Sequence, residues 1–276
     1  MSPDVAVIGG GIVGAAAAAF LAEGGASVIL YEQDSIGAGA SGRNSGVVQQ
    51  PGDAILAGLY RESLALYRDL EGFSLPAAPA GLLHVGLDPD AVRALAEQFV
   101  LAEPDMHPEF LPPGEACRLE PGLAPEVAAC RVEIGYPVPP AAATAAFAAR
   151  AERAGATIHI GEAAEVWRRG GSVTGVRVGG RSVAADHVLV AAGPWSPALI
   201  DPSGVWRPIR RLWGVVVAIG LTDPPGHVLE EAAIDAGIVP GGAAAGLDFS
   251  LVTAAGSSSL GSTFFEDEPE AAAFVP

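Results

Sequence analysis

Six residues near the start of the chain, Gly9-Gly10-Gly11-Ile12-Val13-Gly14, have the spacing of a phosphate cradle. In a G-x-G-x-x-G run the first glycine permits a tight turn, the second lets backbone approach a pyrophosphate, and the third lets a helix lie close on a strand. The helix N-terminus around Ile12 and Val13 then offers free N–H groups and a partial positive charge to phosphate oxygens. Glu32, followed by Gln33, lies 18 residues beyond Gly14, where an acid hydrogen-bonds ribose hydroxyls. A carboxylate at that point repels the 2′-phosphate of NADP and leaves NAD and FAD both open.

The elements around these residues fall in the order the chemistry requires. Val5–Ile8 is continuously apolar, as a strand buried in a parallel sheet is. Ile12 to Glu23 reads as a helix closed by Gly24-Gly25, and Ser27–Tyr31 as a second apolar strand ending at Glu32. The Ala15–Ala19 run permits close helix–sheet packing, although helix propensity alone also favours it. From Val5 to Leu30 the only charge is Glu23, but glycines at 9, 10, 11, 14, 24 and 25 cut the stretch into pieces too short to cross a bilayer. The expectation is therefore a protein without a membrane span. A first strand starting at Asp4 leaves no room for a signal peptide, so the expected location is cytoplasmic.

A Gly/Ala/Ser-rich loop follows from Ser35 to Gly46. Within it, Gly39-Ala40-Ser41-Gly42-Arg43-Asn44-Ser45-Gly46-Val47-Val48 resembles the second flavin signature of the D-amino-acid oxidase, sarcosine oxidase and glycine oxidase family. That resemblance implies FAD as cofactor, with the loop passing over its diphosphate toward the flavin ring. It makes Ala40, Ser41, Asn44, Ser45, Gly46 and Val47 cofactor-binding positions and sets Arg43 to offset diphosphate charge. Ala154-Gly155-Ala156-Thr157-Ile158, leading to Ala164-Glu165-Val166, is similar to the family's adenine-side segment, in which backbone near Ala164 contacts the adenine. Ala191-Ala192-Gly193-Pro194-Trp195-Ser196 resembles the turn that lies against the FAD, adding Ala192, Gly193 and Trp195. The Arg43–Val48 loop argues against a nicotinamide-dependent dehydrogenase.

The remaining elements are read from periodicity. Asp53–Leu70 fits a helix with Asp53 as N-cap. Phe73–Pro140 is irregular and proline-rich, with a strand at Leu82–Leu87 and a helix at Asp90–Leu101. A helix at Ala141–Ala154 precedes strand Thr157–Ile160, a hairpin around Val166 and Val173–Val178, and strand His187–Ala191. Val215–Ile219, Ile238–Val239 and Phe249–Val252 read as short strands of an antiparallel layer. The fold class is α/β. A Rossmann-like FAD-binding domain, a parallel sheet with helices and an antiparallel crossover, takes residues 1–80 and 141–205. Part of an antiparallel-sheet substrate domain takes residues 81–140 and 206–276.

A net charge of −17, with all 15 basic residues arginine, argues against nucleic acid and anionic membranes as partners. Cys117 and Cys130 make no disulfide framework, and neither they nor His84, His107, His159, His187 and His227 have metal-ligand spacing, so no metal is expected. Arg210 and Arg211, before Trp213-Gly214, read as surface residues, with a place facing the substrate cavity as the alternative. The resemblance implies oxidation of the C–N bond of a small amino acid or N-methyl amino acid, by hydride transfer to flavin N5 and hydrolysis of the imine. The chemistry then resides in the cofactor, and no catalytic acid or base is nominated. A related FAD-dependent oxidation of a 2-hydroxy acid is the alternative. In the family a last segment returns to the first domain and closes the flavin site. No G-H-x-x-G-like turn precedes Pro276, so a fragment, or a subunit completed by a partner, is a third expectation.

Overall fold

The computed structural model describes residues 2–51, 53–232, 249–261 and 265–270. In chain order it forms β1 (Val5–Ile8), α1 (Ile12–Glu23), β2 (Val28–Glu32), β3 (Val47–Val48), α2 (Ala54–Arg68), β4 (Leu82–Gly86), α3 (Pro89–Ala102), β5 (Glu109–Leu111) and α4 (Glu115–Leu119). Next come β6 (Ala128–Val132), β7 (Tyr136–Pro137), α5 (Ala142–Arg153), β8 (Thr157–Ile160), β9 (Ala164–Arg169), β10 (Ser172–Val178), β11 (Arg181–Ala184) and β12 (His187–Val190). The chain continues with α6 (Ser196–Ile200), β13 (Val217–Ile219), β14 (Val228–Glu231), β15 (Ser250–Ala254) and β16 (Ser257–Gly261). The strand expected at Ile238–Val239 lies outside the described residues. Two compact units emerge: Met1–Asn44, Leu70–Phe73 and Pro140–Arg211 form one, and Ser45–Asp69, Ser74–Pro139 and Leu212–Pro276 the other.

The first unit is built on a parallel sheet of order β12-β1-β2-β8. Val5 stands opposite Val28 on one side and His187 on the other, so β1 is central and buried at every residue. That position explains its unbroken apolar sequence. Ala6 and Ile8 point into a core shared with Tyr31, Ala164, Val176, Val178 and Ala185, beneath the antiparallel sheet β11-β10-β9. Strand side chains alternate, so Val5 and Val7 face the opposite layer of α1 and α5. There Ala15, Ala18 and Ala19 are fully buried. Arg150 ties the helix pair together, donating Nε to Glu23 Oε1 at 2.7 Å and Nη2 to Oε2 at 2.9 Å. β2 begins at Val28 because Ser27 is held by Asp4: its N–H and its hydroxyl each donate to Asp4 Oδ2 at 2.7 Å.

The second unit carries a seven-stranded sheet of order β13-β16-β15-β14-β4-β6-β5. Its expected antiparallel character holds for every neighbour but one, since β14 and β4 run parallel. The sheet is therefore mixed, a consequence of pairing two strands that are far apart in sequence and enter in the same direction. Leu82, Cys130, Val132, Val228 and Val252 lie in one core with Val92 and Ala96 of α3 and Met106. Leu83, Val85, Ala129, Leu229 and Leu251 form a second with Ala116 of α4. His84 shares the face of Leu82, its ring 5.4 Å from that of Phe99, and burial lowers its pKa from 6.5 to about 4. Burial pushes the Cys130 thiol up to about 11. Cys130 and Cys117 are both free thiols. Asp53 caps α2, its Oδ1 accepting from the N–H groups of Ile55 at 2.8 Å and Leu56 at 2.9 Å. Among the described residues no helix is long and apolar enough to cross a membrane, and no cluster of three His, Cys, Asp or Glu is arranged for a metal.

Candidate cofactor site

Each glycine of the opening run is needed for a different reason. Gly9 has φ +109°, and a Cβ there would sit 2.5 Å from the carbonyl oxygen of Ala191. The turn after β1 thus passes directly over the end of β12, where Ala191 N–H donates to Ile8 O at 2.8 Å. A Cβ on Gly14 would fall 1.9 Å from Gly9 O, so only glycine lets α1 start this close to the strand it follows. Gly11, the N-cap of α1, differs from both: an added Cβ would meet only Ser41 Oγ, at 3.2 Å. That open side, at a helix start with no side-chain cap of its own, is where a diphosphate has room to approach backbone N–H groups.

The loop after β2 closes onto the same helix start. Ser41 Oγ accepts from Ile12 N–H at 3.0 Å and keeps its own hydrogen for a further acceptor. Val13, next along, is 66% exposed. Glu32 accepts from Gly10 N–H at 2.7 Å and from Asp34 N–H at 2.9 Å. Its carboxylate is thereby anchored beside the glycine turn, each oxygen retaining lone-pair capacity for a ribose hydroxyl. Gln33 is exposed next to it. Gly10 was not among the expected site residues, yet a Cβ there would stand 3.0 Å from Cβ and Cγ of Glu32. The run of three consecutive glycines was the available signal.

Ala40, Ser41 and Gly42 form a short 3-10 turn. The Asn44 side chain holds that turn, donating Nδ2 to Ala40 O at 2.9 Å and Ser41 O at 3.1 Å. Asn44 therefore shapes the loop through its amide rather than presenting both of these donors outward. Arg43 is exposed. On the other side of the sheet end, Ala192 precedes a 3-10 turn at Gly193–Trp195, with Gly193 at φ +55° and Trp195 45% exposed. The Trp195 ring would be 3.8 Å from a Cβ on Gly39. Ala164 opens β9, buried, and Glu162 N–H donates to Glu32 O at 2.9 Å just before it. The first unit thus brings Gly9 to Gly14, Glu32, Ser41 and Asn44, Ala164 and Ala192 to Trp195 to one end of its parallel sheet, the carboxyl end where α/β folds bind ligands.

Ser45, Gly46 and Val47 belong to the second unit. There Ser45 Oγ lies 3.4 Å from Ser250 Oγ, Gly46 O accepts from Val138 N–H at 2.8 Å, and Val47 pairs with Pro137.

Comparison with known proteins agrees with this geometry. A family model described as FAD dependent oxidoreductase, DAO, matches residues 4–273. Glycine oxidase of Geobacillus kaustophilus (strain HTA426) is 29% identical over 214 residues, covering 71% of this chain and 56% of that protein. One component of the anaerobic glycerol-3-phosphate dehydrogenase of Escherichia coli (strain K12) is 31% identical over 211 residues, covering 74% of this chain and 38% of that protein. The chain thus spans about half the length, or less, of these curated relatives. Among solved structures, glycine oxidase from Bacillus cereus ATCC 14579 has a TM-score of 0.75 at 24% identity, over 95% of this chain and 73% of that one. L-proline dehydrogenase from P. horikoshii has a TM-score of 0.74 at 20% identity, over 95% and 70%. At these identities the structural likeness speaks to the fold.

Proposed function

The chain belongs to the DAO family of FAD-dependent oxidoreductases, and from that premise we propose that it oxidises the C–N bond of a small amino acid or N-methyl amino acid. FAD is the family's cofactor, and the residues present fit it. The observation that carries the reading is the Ser41–Ile12 hydrogen bond, which sets the Gly39–Asn44 loop against the open side of Gly11. On this reading the diphosphate lies against the backbone of Gly9, Gly11, Ile12, Val13 and Gly14, and Ser41 donates its hydroxyl to it. Glu32 and Gln33 take the ribose, Ala164 the adenine side, and Ala40, Arg43 and Asn44 line the diphosphate. Ser45, Gly46, Val47, Ala192, Gly193 and Trp195 complete the cofactor contacts. When bound, the flavin supplies the hydride acceptor; the protein contributes orientation and electrostatics.

The amine-oxidising reading draws on the likeness to glycine oxidase. The likeness to a component of a glycerol-3-phosphate dehydrogenase, at 31% identity, favours oxidation of a C–OH bond, and with it the second reading, in which the substrate is a 2-hydroxy acid. Two measurements test the assignment. Purified protein is expected to be yellow, or to take up added FAD with a flavin absorbance band. Steady-state assays with glycine, sarcosine, D-amino acids and 2-hydroxyglutarate are expected to give turnover on the amines. Turnover on hydroxy acids alone would replace the first reading by the second, and a colourless protein that ignores FAD would point to a chain completed by another segment or by a partner. The proposed location is the cytoplasm.

A further inference from the structure

The strands that carry the glycine turn, Glu32 and the adenine-side segment lie side by side in the first unit, in the order β1-β2-β8. Their register sets Ile8 opposite Tyr31 and Glu32 opposite Ile160. Partners in adjacent strands project from the same face, so Ile160 stands beside Glu32 at the carboxyl end of the sheet. Tyr31 and His159 take the opposite face, their rings stacked with centroids 5.1 Å apart. The end of β8 is pinned in place. The chain leaves it through Gly161 at φ +78°, and Glu162 N–H returns to Glu32 O at 2.9 Å. Ile160 is nonetheless 56% exposed, and none of the cofactor contacts assigned above uses it.

A lone exposed isoleucine is ordinary on a protein surface, and exposure by itself argues nothing. The place of this one does. Neighbouring strands are spaced so that crossing from the glycine turn to Glu32 and on to Ile160 covers about 10 Å, in two equal steps. A nucleoside diphosphate presents three different parts in the same order: anionic phosphates, a ribose with hydroxyls, and a base with flat apolar faces. The sheet end meets them with backbone N–H groups at a helix start, a carboxylate and an aliphatic side chain. We propose that Ile160 is the shelf on which the adenine ring of the cofactor lies, one face against the isoleucine side chain. Covering an exposed aliphatic group with an aromatic face removes apolar area from water on both partners. The shelf supplies affinity without base identity, because an aliphatic surface makes no hydrogen bond. Reading of the base's polar edge is left to the backbone near Ala164.

The inference rests on the cofactor placement proposed above, and its test separates the two. The probe is ADP, which carries the phosphates, ribose and base but no flavin, titrated calorimetrically into the flavin-free chain. Ile160→Thr keeps the branched side chain that a strand favours and puts a hydroxyl on the shelf, whereas Ile160→Val only shortens it. ADP affinity is expected to fall about three- to tenfold in Ile160→Thr and less in Ile160→Val, on the scale of one aliphatic contact. The thermal midpoint of the flavin-free protein is expected to stay within about a degree or two of the parent's in both. Glu32→Gln, at the neighbouring ribose position, is expected to weaken ADP as well. Weakening in Glu32→Gln with unchanged affinity in both Ile160 variants overturns the shelf and leaves the placement standing. A loss that follows a lowered midpoint in both variants gives Ile160 a purely structural role and likewise overturns the shelf. A parent that does not bind ADP, or binds it no more tightly than Glu32→Gln and both Ile160 variants, overturns both.

Discussion

Single side chains divide the opening glycines into two functional kinds. A methyl at position 14 would collide with Gly9 O at 1.9 Å, so Gly14→Ala is expected to destabilise the fold by a few kcal/mol, about the cost of a forced core overlap. Position 11 is less crowded: Gly11→Ala meets only Ser41 Oγ, at 3.2 Å, which must shift by a few tenths of an ångström. It is expected to leave the apoprotein's thermal midpoint within about a degree or two while weakening FAD binding by tenfold or more. Melting curves with and without FAD distinguish the two, and equal losses of stability would contradict the assignment of roles. The motif was legible in sequence as a spacing, but which glycine guards packing and which guards the ligand depends on contacts with Gly9 O, with Ser41 and with Ala191, the last far along the chain. Asn44 teaches the same lesson, since its amide is committed to carbonyls three and four residues back. His84 adds a pH dependence. Its folded pKa is depressed from 6.5 to about 4, so the unfolded chain takes up a proton in that window that the folded chain refuses. Stability is therefore fully present above 6.5 and falls as the pH drops toward about 4, by up to about 3 kcal/mol. Denaturant midpoints measured from pH 7 to 4 should fall less steeply in His84→Leu than in the parent.

Elements show why small residues recur. Ala15, Ala18 and Ala19 are each fully buried between α1 and its neighbours, a spacing too narrow for a larger side chain. Ala19→Leu is expected to cost about 1–3 kcal/mol by overpacking, read as a lower denaturant midpoint with an unchanged slope. At the start of α2, Asp53→Ala removes an acceptor for two N–H groups and is expected to cost about 1 kcal/mol. Both helices were readable in advance because their signals are local: a periodic apolar pattern, a capping acid, a terminating glycine. β1, α1 and β2 were readable for the same reason. β6 was not. Its residues Ala128 to Val132 carry no alternation, and Arg131 interrupts them to meet Glu109 of β5 at 3.3 Å. Such a strand is defined by the partners on either side, β4 and β5, which no short window of sequence displays. The parallel pairing of β4 with β14 was hidden likewise, and so was the Gln49–Glu230 contact, whose members are separated by 181 positions.

Across the molecule, cofactor and fold are thermodynamically linked. A ligand that binds only the folded chain stabilises it by mass action, about 2.7 kcal/mol at a hundredfold excess over its Kd. The melting temperature is therefore expected to climb steadily with added FAD and to stay put with NADP, whose extra phosphate faces Glu32; a rise with NADP and none with FAD would overturn the cofactor choice. The net charge of −17 leaves this test clear of nucleic-acid contamination, because polyanions are repelled. The pairing of β1 has another consequence, for the order of events in synthesis. Val5 needs His187 beside it, and Leu82 needs Val228. Each sheet therefore waits for a strand made long after its first, and the chain leaves and re-enters each unit more than once. A nascent chain halted before β12 carries β1 with one edge bare, an apolar strand ready to pair with whatever lies near. Birth of this protein is consequently a stretch of exposure lasting until β12 has emerged, during which pairing of that bare edge with other chains competes with native folding.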